Sequence, residues 1–257
     1  MIDAILRALV WGLLSLRYRV RVRGIEAVAS RGRRSILFLP NHPALIDPVI
    51  LLAALHNPFA ARALADREQV DRFGIRHLAR RAGVMTIPDT SQIGMGNGKR
   101  ILASLEGCAA ALRQGDNVIL YPAGRILRCP REELGGNSGV ELLLRQLNGG
   151  GCDVRIVLVR TRGLWGSRFG FAPWGGHPGA HLGRTLRRGA LALLASGVFF
   201  LPRREVTIEL VEPDDFPRHA DRHTINRYLE QFYNAGDPAE ARVPYSLWHR
   251  GRNRQPI

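Results

Sequence analysis

A chain of 257 residues with 46% apolar and 23% charged side chains has the composition of a folded globular protein, with material for one large or two small domains around a sizeable core. Its net charge is +15, carried almost wholly by arginine because Lys99 is the only lysine. That surplus suits phosphate-bearing or acidic partners: nucleic acid, anionic lipid headgroups or an acidic carrier protein, or else it reflects genome composition. No nucleic-acid readout element accompanies it, so nucleic acid is the least favoured partner. The three cysteines, Cys108, Cys129 and Cys152, are odd in number and lack metal-type spacing, which argues against a disulfide framework and a zinc site and for a reducing, cytosolic setting. There is no apolar run of about 18 residues for a spanning helix, and no cleavage site of the signal-peptide type follows the N-terminal apolar stretch.

Residues 2–16 place Ile2, Ile5, Leu6, Leu9, Leu13 and Leu16 on one helical stripe. Such a helix either docks on the protein's own core or lies in the plane of a membrane. The basic segment "RYRVRVRG" behind it tilts the balance to the membrane, since each arginine near an anionic surface adds about 1 kcal/mol. The same segment alternates with strand periodicity. Further strands are expected at 35–39, 60–64, 83–87, 117–121, 153–159 and 205–210, with helices at 47–56, 68–82, 99–113, 138–147, 184–196 and 222–234. Alternation of this kind predicts a single α/β domain, a mixed and largely parallel sheet flanked by helices. Its bounds are expected at 17–235, after the amphipathic helix 1–16 and before a basic tail, 236–257.

Between the strand "SILFL" and the helix "DPVILLAALH" stands the loop "PNHPALI", with Asp47 expected as the helix N-cap and Pro48 at N1. On a continuous helix, residues five apart point about 140° away from each other. A loop bounded by prolines instead allows His42 and Asp47 to meet. A histidine held by a carboxylate is a recurring general base, with Asn41 orienting the loop or donating to a developing charge. The plain alternative, a capped turn with a loop histidine, stays open on spacing alone.

"NHPALID" resembles the His-(four residues)-Asp signature of the glycerolipid acyltransferases, the 1-acylglycerol-3-phosphate acyltransferase family. Places matching that family's later blocks follow in order: "GVMTIPD" (83–89), "YPAGRI" (121–126) and "VRIVLV" (154–159), so the similarity runs from about Leu16 to Leu210. Ala123 stands where the family has glutamate, Asp89 where it has arginine, and the fourth block lacks its prolines. The Gly-Arg-Ile order is most similar to the acyltransferase half of bacterial 2-acylglycerophosphoethanolamine acyltransferases linked to acyl-carrier-protein synthetases. The resemblance implies transfer of a fatty acyl group from acyl-CoA or acyl-carrier protein to a hydroxyl of a lysophospholipid or related acceptor. His42 would be the base and Asp47 its partner, while Tyr121, Gly124, Arg125 and Asn41 would bind substrate, Arg125 at the phosphate. No cofactor or metal is implied, and the enzyme would sit peripherally on the inner face of the cell membrane. A catalytically silent lipid- or carrier-binding protein of the same fold is the alternative that the altered blocks motivate.

Overall fold

The run Ile36–Pro40 is apolar at every position, and it forms strand β2, the middle of the sheet, buried along its whole length. In the computed structural model, which describes residues 2–66, 85–87, 95–148, 153–171, 179, 182–195 and 203–236, seven strands form one sheet in the order β1-β7-β6-β2-β5-β3-β4. These are β1 (Tyr18–Arg23), β2, β3 (Arg62–Asp66), β4 (Met85–Ile87), β5 (Val118–Ile119), β6 (Arg155–Arg162) and β7 (Arg204–Val211). The helices are α1 (Ile2–Arg17), α2 (Ile25–Ser30), α3 (Asp47–Phe59), α4 (Met95–Arg113), α5 (Gly139–Asn148), α6 (Leu182–Ala195) and α7 (Arg222–Asn234). Every pairing is parallel except β6 with β7, so the sheet is mixed and largely parallel, as the alternation of elements predicts.

Alternate residues of β2 face two cores. Leu37 and Leu39 join Leu112, Leu143, Ile225 and Leu229 from α4, α5 and α7. Ile36 and Phe38 join Leu14, Val28, Ile50 and Leu55 from α1, α2 and α3 on the other side. A parallel strand covered by helices on both faces must be apolar throughout, which is why β2 shows no alternation.

Several boundaries differ from the sequence expectation for local reasons. Helix α3 runs on to Phe59 with Pro58 in its last turn, and ends where Ala60 turns left-handed (φ 49°) and its N–H reaches the His56 carbonyl at 2.7 Å. Strand β5 is only two residues long, because the Asn117 side chain takes over the pairing at its start and the chain turns away after Leu120. Gly163 closes β6 with φ +92°, and a Cβ there would strike the Glu205 carbonyl, so only glycine fits that turn. The short helix α2 was not expected. The helix expected at 68–82, Asp89 and residues 237–257 of the tail lie outside the described residues. Among the described residues no helix is long and apolar enough to cross a membrane.

Asn117 joins three segments from a buried position. Its Oδ1 accepts from the Ile36 N–H at 2.9 Å, and its Nδ2 donates to the carbonyls of Arg33, at 2.8 Å, and Phe59. Replacement by alanine leaves those buried groups without partners, each worth about 1–3 kcal/mol. Asn117→Ala should therefore lower the unfolding free energy by on the order of 3 kcal/mol, measured by denaturant titration.

Candidate active site

Strands β2, β5 and β6 are parallel neighbours, so the loops that follow them open on one edge of the sheet. This carboxyl edge is where ligand loops of α/β sheets gather. The loop after β2 is held there by Asn41, which is buried. Its backbone N–H donates to the Val159 carbonyl at 3.3 Å. Its amide Nδ2 donates to the Thr161 carbonyl at 3.1 Å, and its Oδ1 accepts from the Thr161 N–H at 2.7 Å. The side chain thus continues the β2–β6 ladder past Pro40, which has no N–H to give. Of the two roles expected for Asn41, this geometry is that of the loop-orienting one.

His42 follows directly. Its Nδ1 stands 3.5 Å from Asp47 Oδ2, with the histidine side chain 14% exposed and the aspartate 0%. The Tyr121 ring lies against the imidazole, centroids 4.4 Å apart and planes tilted by 38°. The Tyr121 hydroxyl, both Asp47 carboxylate oxygens and His42 Nδ1 are all buried and close no hydrogen bond. Burial first, and then the Asp47 charge beside it, holds the Tyr121 phenol well above its usual range. Unsatisfied buried polar atoms gathered at one point are rare outside functional sites.

Asp47 is not the helix cap that the sequence predicts. Helix α3 begins at Asp47 itself, its N-cap is Ile46 in helical conformation (φ −81°, ψ −17°), and no side chain caps it. The carboxylate is turned inward beside His42 and Tyr121, so it cannot also bond the first N–H groups of the helix.

The loop after β5 wraps the same histidine. The Leu127 N–H donates to the His42 carbonyl at 2.9 Å, and the His42 N–H donates to Glu132 Oε2 at 3.3 Å. Gly124 is left-handed (φ +60°) with open space around the missing Cβ, so the turn needs glycine for its conformation rather than for a close approach. Arg125 next to it is exposed, its guanidinium 3.4 Å from the Glu133 carbonyl. One face of α7 secures the loop, since residues four apart on a helix align. Asn226 Nδ2 donates to the carbonyls of Gly135 and Asn137, both at 2.9 Å, and Glu230 Oε1 accepts from the Leu134 N–H at 2.6 Å. Asn234 accepts from the Glu132 N–H at 2.8 Å and donates to its carbonyl at 2.9 Å. The Tyr233 hydroxyl donates to the Leu39 carbonyl at 2.8 Å, which fixes the helix to β2.

His42, Asp47 and Tyr121 therefore meet, and Arg125 is on the loop that clasps them. Glu132 is the residue that sequence reasoning missed, although "REEL" sets two acids into a basic loop just behind "YPAGRI". The loop 163–170 borders the site, with the Phe169 carbonyl accepting from the Leu45 N–H at 2.8 Å, and Trp165 is packed inside it. No group of His, Cys, Asp and Glu among the described residues is arranged to hold a metal.

Burial pushes the Glu132 carboxyl from its usual 4.5 up to about 7, against the lowering effect of the His42 N–H and Arg125 and with the aid of the Asp47 and Glu230 charges. The folded chain then binds more protons at Glu132 than the unfolded chain across that window. Stability from this group is fully present below about pH 4.5 and is withdrawn as pH rises to about 7. Relative to Glu132→Gln, the native protein should lose on the order of 3 kcal/mol of unfolding free energy between pH 4.5 and 8, read from denaturant titrations at each pH.

The acyltransferase family profile matches residues 19–158, which span β1 through the first part of β6 and include every residue from His42 to Glu132. No curated protein matches the chain. A solved structure similar in fold is the crystal structure of the 1-acyl-sn-glycerophosphate (LPA) acyltransferase, PlsC, from Thermotoga maritima. It superposes with a TM-score of 0.50 at 13% identity, over 90% of this chain and 77% of that one. A family match over more than half of the chain, on the segment that builds this site, settles the family: the chain belongs to the acyltransferases.

Proposed function

We propose that the protein moves a fatty acyl group from a thioester, acyl-CoA or acyl-carrier protein, to a hydroxyl of a lysophospholipid or related glycerolipid acceptor. The observation that carries this reading is the 3.5 Å approach of His42 Nδ1 to the wholly buried Asp47 carboxylate, on a rim that also bears Arg125. Once this 3.5 Å approach tightens to a hydrogen bond, the carboxylate fixes the Nδ1–H tautomer and Nε2 is the free base. Nε2 takes the acceptor's hydroxyl proton as its oxygen attacks the thioester carbonyl. The carbon–sulfur bond then breaks, the new ester forms, and the imidazolium returns the proton to the departing thiolate. No covalent acyl-enzyme is needed, and Arg125 with the turn at Gly124 supplies a cationic rest for the acceptor's phosphate.

An anionic membrane surface is the proposed place of reaction. Helix α1 docks through Leu14, 8% exposed, while Leu9 and Leu13 of the predicted apolar stripe stand 57% and 59% exposed. Arg19, Arg21 and Arg23 follow on the exposed side of β1. This supports a helix that packs by one face and offers the other to lipid. The reading places the protein peripherally on the inner face of the cell membrane.

His42→Ala should lower acceptor-dependent thiol release by ~10²–10⁴-fold with an unchanged unfolding midpoint. A folded variant of full activity would sink the mechanism. Asp47→Asn should lose activity without the penalty of a lost helix cap, because Asp47 caps nothing. For the membrane, the double variant Leu9→Ser, Leu13→Ser should bind phosphatidylcholine vesicles containing phosphatidylglycerol on the order of 100-fold more weakly in sedimentation assays.

A further inference from the structure

We infer that Glu132 is a positioning residue for this acyl transfer, holding the main chain of His42 from the loop that carries Arg125 and being itself held by Asn234 of α7. The inference rests on the acyl-transfer reading and adds the residue that keeps its base in place. Both peptide groups of His42 are bonded to one loop: the carbonyl accepts from Leu127 and the N–H donates to Glu132. Both peptide groups of Glu132 are in turn bonded to one side chain, Asn234. Asn234 holds the Glu132 backbone through two hydrogen bonds, and Glu132 and Leu127 together hold both peptide groups of His42, which fixes the backbone position from which the imidazole reaches Asp47.

The chemistry of the acceptor is the second argument. Satisfying a peptide N–H needs only a neutral oxygen, yet here a carboxylate that is 5% exposed does it, facing the acids Asp47 and Glu230 and the Tyr233 phenol, with Arg125 as its cation. Burying an acid among acids is unfavourable, and such arrangements concentrate at functional sites. An ionised acceptor binds the N–H roughly twice as strongly as a neutral one. Arg125, whose charge acts on this carboxylate and whose guanidinium donates to the neighbouring Glu133 carbonyl, is the proposed phosphate ligand, so the hold on the base and the acceptor's anchor belong to one loop.

Three variants test this: Glu132→Ala, Glu132→Gln and Asn234→Ala, each assayed for lysophospholipid-dependent thiol release and for thermal unfolding. The His42 amide proton and the Glu132 carboxyl carbon are followed by NMR in the ligand-free protein across pH. Glu132→Ala should lower kcat ~10- to 100-fold with little change in the KM for the thioester, the scale expected when a base is displaced by about 1 Å. Glu132→Gln keeps an acceptor oxygen and should recover most of kcat, while its kcat–pH profile loses one ionisation near neutrality. In the native protein the His42 amide should move together with the Glu132 carboxyl, and Glu132→Gln should remove that component. A folded Glu132→Ala with native kcat, or a His42 amide indifferent to Glu132→Gln, overturns the proposal. If Glu132→Ala does not fold, Asn234→Ala decides: a several-fold lower kcat with a displaced His42 amide supports it, and native values of both overturn it. A native protein without turnover on any acceptor, but with the Glu132-dependent amide response, overturns the acyl-transfer reading and upholds the hold of Glu132 on His42.

Discussion

The register of β2 is the constraint on which the site depends. A strand with one polar face is locked in register by its pattern, because a slip of one residue would bury the polar side chains. Strand β2 is apolar on both faces and lacks that lock. Its ends supply one instead. Asn117 holds the Ile36 N–H at the start, and Asn41 bonds both peptide groups of Thr161 at the finish. A slip of one residue would carry His42 roughly 3.3 Å along the strand, which is about the whole of its separation from Asp47.

Around that fixed point the charges sort by depth. The chain carries 37 basic residues against 22 acidic ones, yet the groups buried beside His42 are acids, Asp47 and Glu132, and the arginine nearby is exposed. Acids inside and an arginine outside are the arrangement that the proposed proton transfer and the proposed phosphate contact each call for. The two demands are met by residues of one loop, since Arg125 and Glu132 both follow β5. Helix α7, packed on the same face of the sheet as α4 and α5, sets that loop through side chains spaced four apart.

Elements governed by local periodicity were the easiest to read. The α/β alternation, β6, β7 and α7 follow from apolar spacing to within a few residues. What failed was decided by partners distant in sequence. Strand β5 is shortened because Asn117 reaches back to Arg33 and Ile36. Asp47 has the sequence setting of a cap but turns inward, toward His42 five residues away and toward Tyr121, which reaches it from the far side of β5. The apolar stripe of α1 was visible, but not that Leu14, off the stripe, would be the docking residue.

The sequence by itself determined the strand-to-helix loop that keeps His42 off the helix Asp47 begins, the alternation that makes a parallel sheet, and the order of blocks that marks the family. These are properties of short segments, set by proline geometry and by spacing along the chain. Only the tertiary structure decided which oxygen holds the His42 main chain, which face of α1 is free, and that Asn41 serves as an extra rung of the sheet. Each of these depends on groups tens of residues apart being brought within hydrogen-bond reach, and separation along the chain carries no record of that distance.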